Sequence, residues 1–112
     1  MQRSLNEGKA AQLPQANSIA AGLAPPFAGQ NCYCHVTKFV DGIITVTNKQ
    51  ICQATRHLCE RGIFAEASGS AAFAAVMFDK IPDVANKCVV VMVTGGNASP
   101  TELVEVFGMA TE

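Results

Sequence analysis

The apolar residues that follow Thr47 recur with helical spacing. Ile51, Ala54 and Leu58 fall on one face and polar residues fall on the other, which predicts an amphipathic helix. Thr47 and Gln50 have the spacing of a capping box, in which each side chain accepts a hydrogen bond from a free backbone N–H group at the helix start. The pattern therefore predicts a helix that begins at Thr47 and has one core-facing side.

Four further helices are predicted. Residues 1–8 have the pattern of the last turns of a helix, and residues 31–39 are compatible with a short one. A helix capped by Ser68 and running to about residue 78 is apolar almost all round, which is typical of a helix buried between layers. The last helix is expected to begin after Ser99 as its cap and to end at Gly108.

Apolar runs alternate with these helices. Residues 88–93 are six apolar residues with no polar one among them, a pattern typical of a strand buried on both faces. Residues 43–46 and 63–65 are shorter predicted strands. Alternation of helices and strands predicts an α/β fold with mainly parallel strands. Because three short strands leave two sheet edges open, we expect the chain to be part of a larger domain.

The composition fits one folded domain. The chain has 112 residues, of which 49% are hydrophobic and only 15% charged, so disorder is not expected and much of the surface is expected to be covered. A net charge of −1 without a basic cluster indicates neither nucleic acid nor an anionic membrane as a partner. Five cysteines without a secretory signal predict reduced thiols and a cytoplasmic location.

The residues after the 88–93 run form the first candidate site. In open α/β sheets, ligands bind beyond the carboxyl ends of the strands, so Thr94 would be the first polar side chain facing that crevice. Gly95 and Gly96 lack a Cβ atom, which lets the backbone turn sharply and lets a flat ligand approach closely. A strand followed by two glycines is also common where no ligand binds, so this turn by itself does not identify a site.

The cysteines offer weaker candidates. Cys32, Cys34 and His35 are possible metal ligands, but a fourth ligand with suitable spacing is missing, and no metal site is predicted. Cys52 and Cys59 lie on one predicted helix and are interpreted as small core residues rather than a redox pair.

Four phrases, in order and spread over nearly the whole chain, resemble those of a known family. They are SIAAGLAPPFAG at residues 18–29, the segment 39–46, ERGIFAEASGSAAFAA at 60–75, and the apolar run ending in Gly-Gly-Asn at 89–97. Together they resemble the carboxyl-terminal part of the fold type II pyridoxal-phosphate enzymes, in the serine/threonine dehydratase and serine racemase group.

The resemblance implies a fold and a reaction. Residues 1–112 would be the carboxyl-terminal part of the large domain, a three-layer α/β sheet of the tryptophan synthase beta-like fold, without the small domain and the catalytic-lysine region. The intact enzyme would use pyridoxal 5′-phosphate to eliminate water from serine or threonine and release ammonia and a 2-oxo acid. Serine racemase is the alternative within this class. Because the family's Schiff-base lysine lies upstream of the point matched by Met1, the chain alone is expected to be inactive.

The resemblance also implies four cofactor-binding positions. Thr94 matches a hydroxyl that hydrogen-bonds the pyridine nitrogen, Gly95 lies beside the ring, Gly22 backs onto it, and Glu66 belongs to the polar shell around it. For Glu66 a second interpretation stays open, in which the carboxylate is stabilised by the positive end of the helix that follows.

A hypothesis from another class is a non-catalytic, truncated paralogue. The low charge and the open sheet edges favour a chain that associates with itself or with a complete subunit. A homo-oligomer or a mixed assembly is therefore expected under either hypothesis.

Overall fold

The computed structural model describes residues 1–111, and its regular elements are helices. In order they are α1 (Gln2–Glu7), a 3₁₀ turn (Ala21–Leu23), α2 (Gln30–Phe39), α3 (Asn48–Cys59), α4 (Ala67–Met77) and α5 (Pro100–Thr111). All the predicted helices are thus confirmed. None of the helices in residues 1–111 is long and apolar enough to cross a membrane. The chain forms two compact units, residues 1–17 with 24–43 and residues 18–23 with 44–111.

The first unit contains α1 and α2. Gly8 follows α1 in the left-handed conformation, with a φ of 68°, as expected for a glycine that ends a helix. The irregular stretch between the two helices is closed by an antiparallel bridge between Gln12 and Phe27. The Ser4 hydroxyl, which is buried, accepts a hydrogen bond from the Ala11 amide at 3.1 Å.

Helix α3 begins with the predicted capping box. The Thr47 hydroxyl accepts a hydrogen bond from the Gln50 amide at 3.2 Å. In return the Gln50 side-chain carbonyl accepts one from the Thr47 amide at 3.0 Å. The backbone amides of Thr47 and Gln50 have no acceptor within the helix, so the two side chains satisfy them reciprocally.

We predict that Thr47→Ala lowers the free energy of unfolding by about 1 kcal/mol, because the Gln50 amide loses its partner. Urea unfolding followed by circular dichroism measures the change. Thr37→Ala is the matched control, since the Thr37 hydroxyl bonds only to the carbonyls of Tyr33 and Cys34 on its own helix. A similar loss of stability in both variants would contradict the capping role.

Helix α3 is the centre of the second unit. On one side Ile51 and Ala54 pack with Ala74 of α4 in one buried cluster. On the other side Cys52 packs with Val106 and Ala110 of α5 in a second cluster. The core-facing side that the sequence predicts for α3 is therefore confirmed, and α4 and α5 are both held by this one helix.

Three details of the other helices were wrong in the sequence prediction. Helix α4 is preceded by Glu66 as its N-cap residue, and Ser68 lies inside the helix rather than capping it. Ala72 and Met77 are exposed, because α3 and the 3₁₀ turn are the main elements of residues 1–111 that pack against α4. Gly108 does not end α5, which continues past it to Thr111.

The predicted strands are not confirmed. No β-strand is formed within residues 1–111, where the segments 43–46, 63–65 and 88–93 are irregular chain. The expected burial of 88–93 on both faces is not confirmed either, since in residues 1–111 alone Val90 is 81% and Met92 70% exposed. The physical reason is that a strand exists only where a neighbouring segment pairs with its backbone. In the described chain the nearest backbone hydrogen bonds are from the Lys87 amide to the Val84 carbonyl at 3.0 Å and from the Glu66 amide to the Gly95 carbonyl at 3.4 Å. Neither involves residues 88–93.

Candidate functional site

The four residues predicted to bind a cofactor lie in the second unit, around the start of α4. Gly95 contacts the Glu66 side chain. A Cβ atom on Gly95 would lie 2.6 Å from Glu66 Oε1 and 2.9 Å from Glu66 Cγ, so the Glu66 side chain would have to shift to admit it. Gly95 also has a φ of +71°, in the left-handed region that favours glycine. The backbone conformation therefore favours glycine here, and the Glu66 side chain fills the space that a Cβ atom would take.

Thr94 contacts α4 through its backbone. A Cβ atom on Gly69 would overlap the Thr94 carbonyl oxygen and would lie 2.6 Å from the carbonyl carbon. The carbonyl thus occupies the place that a methyl group would take on any other residue. The residue itself is exposed. The Thr94 peptide group is therefore the part of the residue that packs against α4.

Gly22 is held by a hydrogen bond. Its amide donates to the Ser68 hydroxyl at 2.9 Å, across 46 positions of sequence. A Cβ atom on Gly22 would lie 3.0 Å from Ser68 Oγ and 3.9 Å from Glu66 Oε1. The 3₁₀ turn that carries Gly22 therefore lies directly against the first turn of α4.

The structure thus brings Thr94, Gly95 and Gly22 together on one short segment, residues 66–69, which includes Glu66 itself. It also gives the glycines another explanation than the sequence did. The missing Cβ of Gly95 makes room for the Glu66 carboxylate, and that of Gly22 makes room for Ser68, rather than for a ligand.

Two residues of this arrangement were not found from the sequence. Ser68 was predicted as a helix cap but is the acceptor for the Gly22 amide. Gly69, in the stretch of small residues that opens α4, was not singled out, although it makes the tightest of these contacts. A glycine in the first turn of a helix is a signal of close backbone approach, but sequence spacing does not say which backbone approaches.

A cavity of about 260 Å³ opens beside this cluster. It is bounded by the 3₁₀ turn, the start of α4, the chain after the two glycines, and one side of α5. Its lining residues are Ile19, Ala21, Gly22, Glu66, Ala67, Ser68, Asn97, Ala98, Glu102, Leu103, Glu105, Val106 and Met109. Helix α5 contributes both apolar and acidic side chains to this lining, and the start of α4 adds Glu66 and Ser68.

The charged groups that line the cavity are acidic. Glu66, Glu102 and Glu105 contribute carboxylates, whereas no lysine or arginine lines the cavity within residues 1–111. The Glu102 carboxylate accepts a hydrogen bond from the Ser99 amide at 2.6 Å, and the Ser99 hydroxyl accepts one from the Glu102 amide at 3.2 Å. Hydrogen bonding from the Ser99 backbone amide, and secondly from the Ser99 side chain, holds the pKa of the Glu102 carboxyl group below its usual value. Glu102 is thus committed to capping α5.

The cysteines do not join this site. Cys52 is fully buried in the core, as interpreted from the sequence, and burial raises the pKa of its thiol. Cys32 and Cys34 are exposed on α2. Within the part of the chain that the structure describes, no three His, Cys, Asp or Glu side chains are grouped so as to hold a metal ion.

Residues 1–95 match the family model described as pyridoxal-phosphate dependent enzyme. Over 95 residues, which are 84% of this chain and 23% of the relative, the sequence is 32% identical to an L-threonine ammonia-lyase of Geobacter sulfurreducens. This chain therefore spans about a quarter of the length of that relative. All four candidate cofactor-binding positions lie within the matched residues. They are Gly22, Glu66, Thr94 and Gly95.

Solved structures agree with this match. The processed form of threonine deaminase isoform 2 from Solanum lycopersicum superposes with a TM-score of 0.83 and 27% identity, over 98% of this chain and 33% of that one. Serine racemase from Dictyostelium discoideum superposes with a TM-score of 0.74 and 30% identity, over 87% of this chain and 31% of that one. The neighbours are α/β enzymes of fold type II, which is the fold class that the sequence resemblance implies.

Proposed function

This chain belongs to the pyridoxal-phosphate dependent enzyme family, and we propose that it forms the pyridine-side wall of the cofactor site in a serine/threonine dehydratase-like ammonia-lyase. The intact enzyme eliminates water from serine or threonine in the cytoplasm and then releases ammonia and a 2-oxo acid. The observation that carries the proposal is the convergence of Thr94, Gly95 and Gly22 on Glu66 and its helix.

The residues present fit one edge of the cofactor. Pyridoxal phosphate supplies an electron-withdrawing ring on which negative charge from the amino acid is stabilised. The Thr94 hydroxyl is both a donor and an acceptor, so it suits a ring nitrogen, and unlike a carboxylate it does not keep that nitrogen protonated. Gly22 and Gly95 pack closely against Ser68 and Glu66, and we place the backbone of both glycines beside the ring. Glu66 stays close to both glycines and closes the polar shell.

The residues needed for the phosphate group and for covalent attachment are not part of this cluster. A phosphate is usually held by helix N-termini, glycine-rich loops or basic side chains, and attachment requires a lysine. No basic residue lines the cavity within residues 1–111. We therefore assign the lysine and the phosphate-binding residues to protein outside this sequence. The match to only 23% of the length of the relative supports this assignment.

The same proposal accounts for the unpaired segments. In the intact domain we place 43–46, 63–65 and 88–93 in a three-layer sheet with mainly parallel strands, and neighbouring strands from the remainder of the domain supply the backbone partners. The exposed side chains of Val90 and Met92 would then be covered by helices on the sheet faces.

We expect this chain with added pyridoxal 5′-phosphate to form no 2-oxo acid from L-serine or L-threonine. Co-expression with the part of the Geobacter sulfurreducens relative that precedes the matched region should restore both retention of the cofactor through gel filtration and 2-oxo acid formation. Thr94→Ala in this pair should lower kcat/KM about tenfold, the loss expected for one hydrogen bond. Thr101→Ala, on the exposed start of α5, is the matched control.

Formation of a 2-oxo acid by the chain alone would refute the claim that the lysine and the phosphate-binding residues lie outside it. Equal activity of the Thr94→Ala and Thr101→Ala pairs would remove Thr94 from the site. The same assay should measure D-serine, because racemisation is the alternative reaction within the class.

A second candidate function is non-catalytic association with another copy or with a complete subunit. It is favoured by the apolar side chains left at the surface, among which Val90 is 81%, Met92 70% and Phe64 69% exposed. Light scattering on the purified chain distinguishes the cases. A defined dimer that never gains activity with the complementing segment supports this candidate, whereas a monomer with a cooperative melt opposes it.

A further inference from the structure

We infer that the first turn of α4 is the positioning element of the proposed site, and that Ser68 is the positioning residue that holds Gly22 in it. Three nearly consecutive residues make three separate contacts. Glu66 contacts Gly95, Ser68 binds the Gly22 amide at 2.9 Å, and Gly69 receives the Thr94 carbonyl. A single turn of helix thus sets the relative positions of backbone segments that lie far apart in sequence.

The rest of the segment 18–23 is anchored independently of Ser68. The Ser18 hydroxyl donates to the Asn48 side chain at 3.0 Å and accepts from the Ala20 amide at 3.1 Å. Ala20 is 1% exposed and belongs to the core cluster with α3 and α4. Removal of the Ser68 hydroxyl should therefore free the Gly22 end of the turn while Ala20 stays in place.

The Gly22 amide needs this particular acceptor. Within the 3₁₀ turn the backbone bond runs from the Leu23 amide to the Ala20 carbonyl at 2.9 Å, so it does not use the Gly22 N–H group. Ser68 has the shortest hydroxyl side chain, and a Cβ on Gly22 would already lie 3.3 Å from Ser68 Cβ. The close approach of turn and helix thus depends on a short acceptor at position 68 and on no side chain at position 22.

The consequence for the cofactor rests on the proposed function. In the proposed site Gly22 lies against the cofactor ring. Greater mobility of the 3₁₀ turn would therefore weaken the contact between Gly22 and the ring. We expect Ser68 to act through Gly22 rather than by touching the cofactor, which separates its role from that of Thr94.

Amide hydrogen exchange of the full chain, followed by NMR, tests the first step. Ser68→Ala should speed exchange at Gly22 about tenfold, the change expected for loss of one hydrogen bond, and should leave Ala20 unchanged. Ser68→Thr keeps the acceptor and should restore protection. Ser70→Ala is the matched control, because the Ser70 hydroxyl donates to the Glu66 carbonyl of its own helix at 3.1 Å. Equal exchange at Gly22 in Ser68→Ala and the unsubstituted chain would overturn the inference.

The second step is measured in the complemented pair with pyridoxal 5′-phosphate as the probe. Ser68→Ala should raise the Kd for the cofactor about tenfold, Ser68→Thr should restore it, and Ser70→Ala should not change it. Faster exchange at Gly22 with an unchanged Kd would overturn the positioning role while the cofactor site stands. Failure of the unsubstituted pair to bind the cofactor would instead overturn the proposed function, and the exchange at Gly22 would still decide whether Ser68 holds the turn.

Discussion

Replacement of Gly69 by alanine should lower the free energy of unfolding by about 2–3 kcal/mol, the cost of forcing a methyl group into a filled space. The added Cβ would overlap the Thr94 carbonyl oxygen and lie 2.6 Å from the carbonyl carbon. A peptide group cannot rotate away as the end of a flexible side chain can, so either α4 or the Thr94 segment must shift. The helix propensity gained by alanine, about 1 kcal/mol, offsets only part of this cost.

Gly108→Ala is the control for Gly69→Ala. Gly108 lies within α5, and a Cβ there would meet nothing within 4 Å. Alanine at this position should therefore stabilise the chain by about 0.5–1 kcal/mol, because glycine loses more backbone freedom than alanine in a helix. Urea unfolding of the two variants measures the opposite signs. Stabilisation by both substitutions would show that the Thr94 carbonyl does not pack against Gly69.

Gly95→Ala should lower the free energy of unfolding by about 2 kcal/mol, for two separable reasons. A φ of +71° costs a residue with a Cβ about 1 kcal/mol or more. The Cβ would also lie 2.6 Å from Glu66 Oε1 and 2.7 Å from Glu66 Cδ, so the carboxylate must move. Chemical unfolding followed by circular dichroism measures the sum.

A double-mutant cycle with Glu66→Ala separates the two parts. Without the carboxylate the steric part disappears, and Gly95→Ala should then cost only the backbone part, about half of its effect in the unsubstituted chain. Gly96→Ala is the neighbouring control, since a Cβ there would lie 3.5 Å from the Phe64 carbonyl, an ordinary contact. Full additivity in the cycle would refute the contact between Gly95 and Glu66.

The helices were predictable because the signals that form them are local. Periodic apolar positions and the Thr47 and Gln50 capping box lie within one or two turns of the residues they affect, and α3 follows them. Details that depend on distant packing were missed. Ser68 was assigned as a cap because its neighbours suggested a helix start, whereas its hydroxyl is taken by the Gly22 amide.

The family and the four candidate positions were also predictable from the sequence, because the four ordered phrases are visible without a structure. The family model matches residues 1–95. The strands could not be predicted from local sequence signals alone. An apolar run such as 88–93 favours a strand, but its pairing depends on segments beyond it, and none pairs with it in residues 1–111.

The glycines show the same division most clearly. Their presence at positions 22, 69 and 95 is visible in the sequence, but what fills the space beside each is not. Folding places the Ser68 hydroxyl beside Gly22, the Thr94 carbonyl beside Gly69 and the Glu66 carboxylate beside Gly95. Ser68 and Gly22, which share a hydrogen bond, are 46 positions apart in the sequence. Steric exclusion acts between atoms that are close in space, so only the packed chain decides which residue each glycine makes room for.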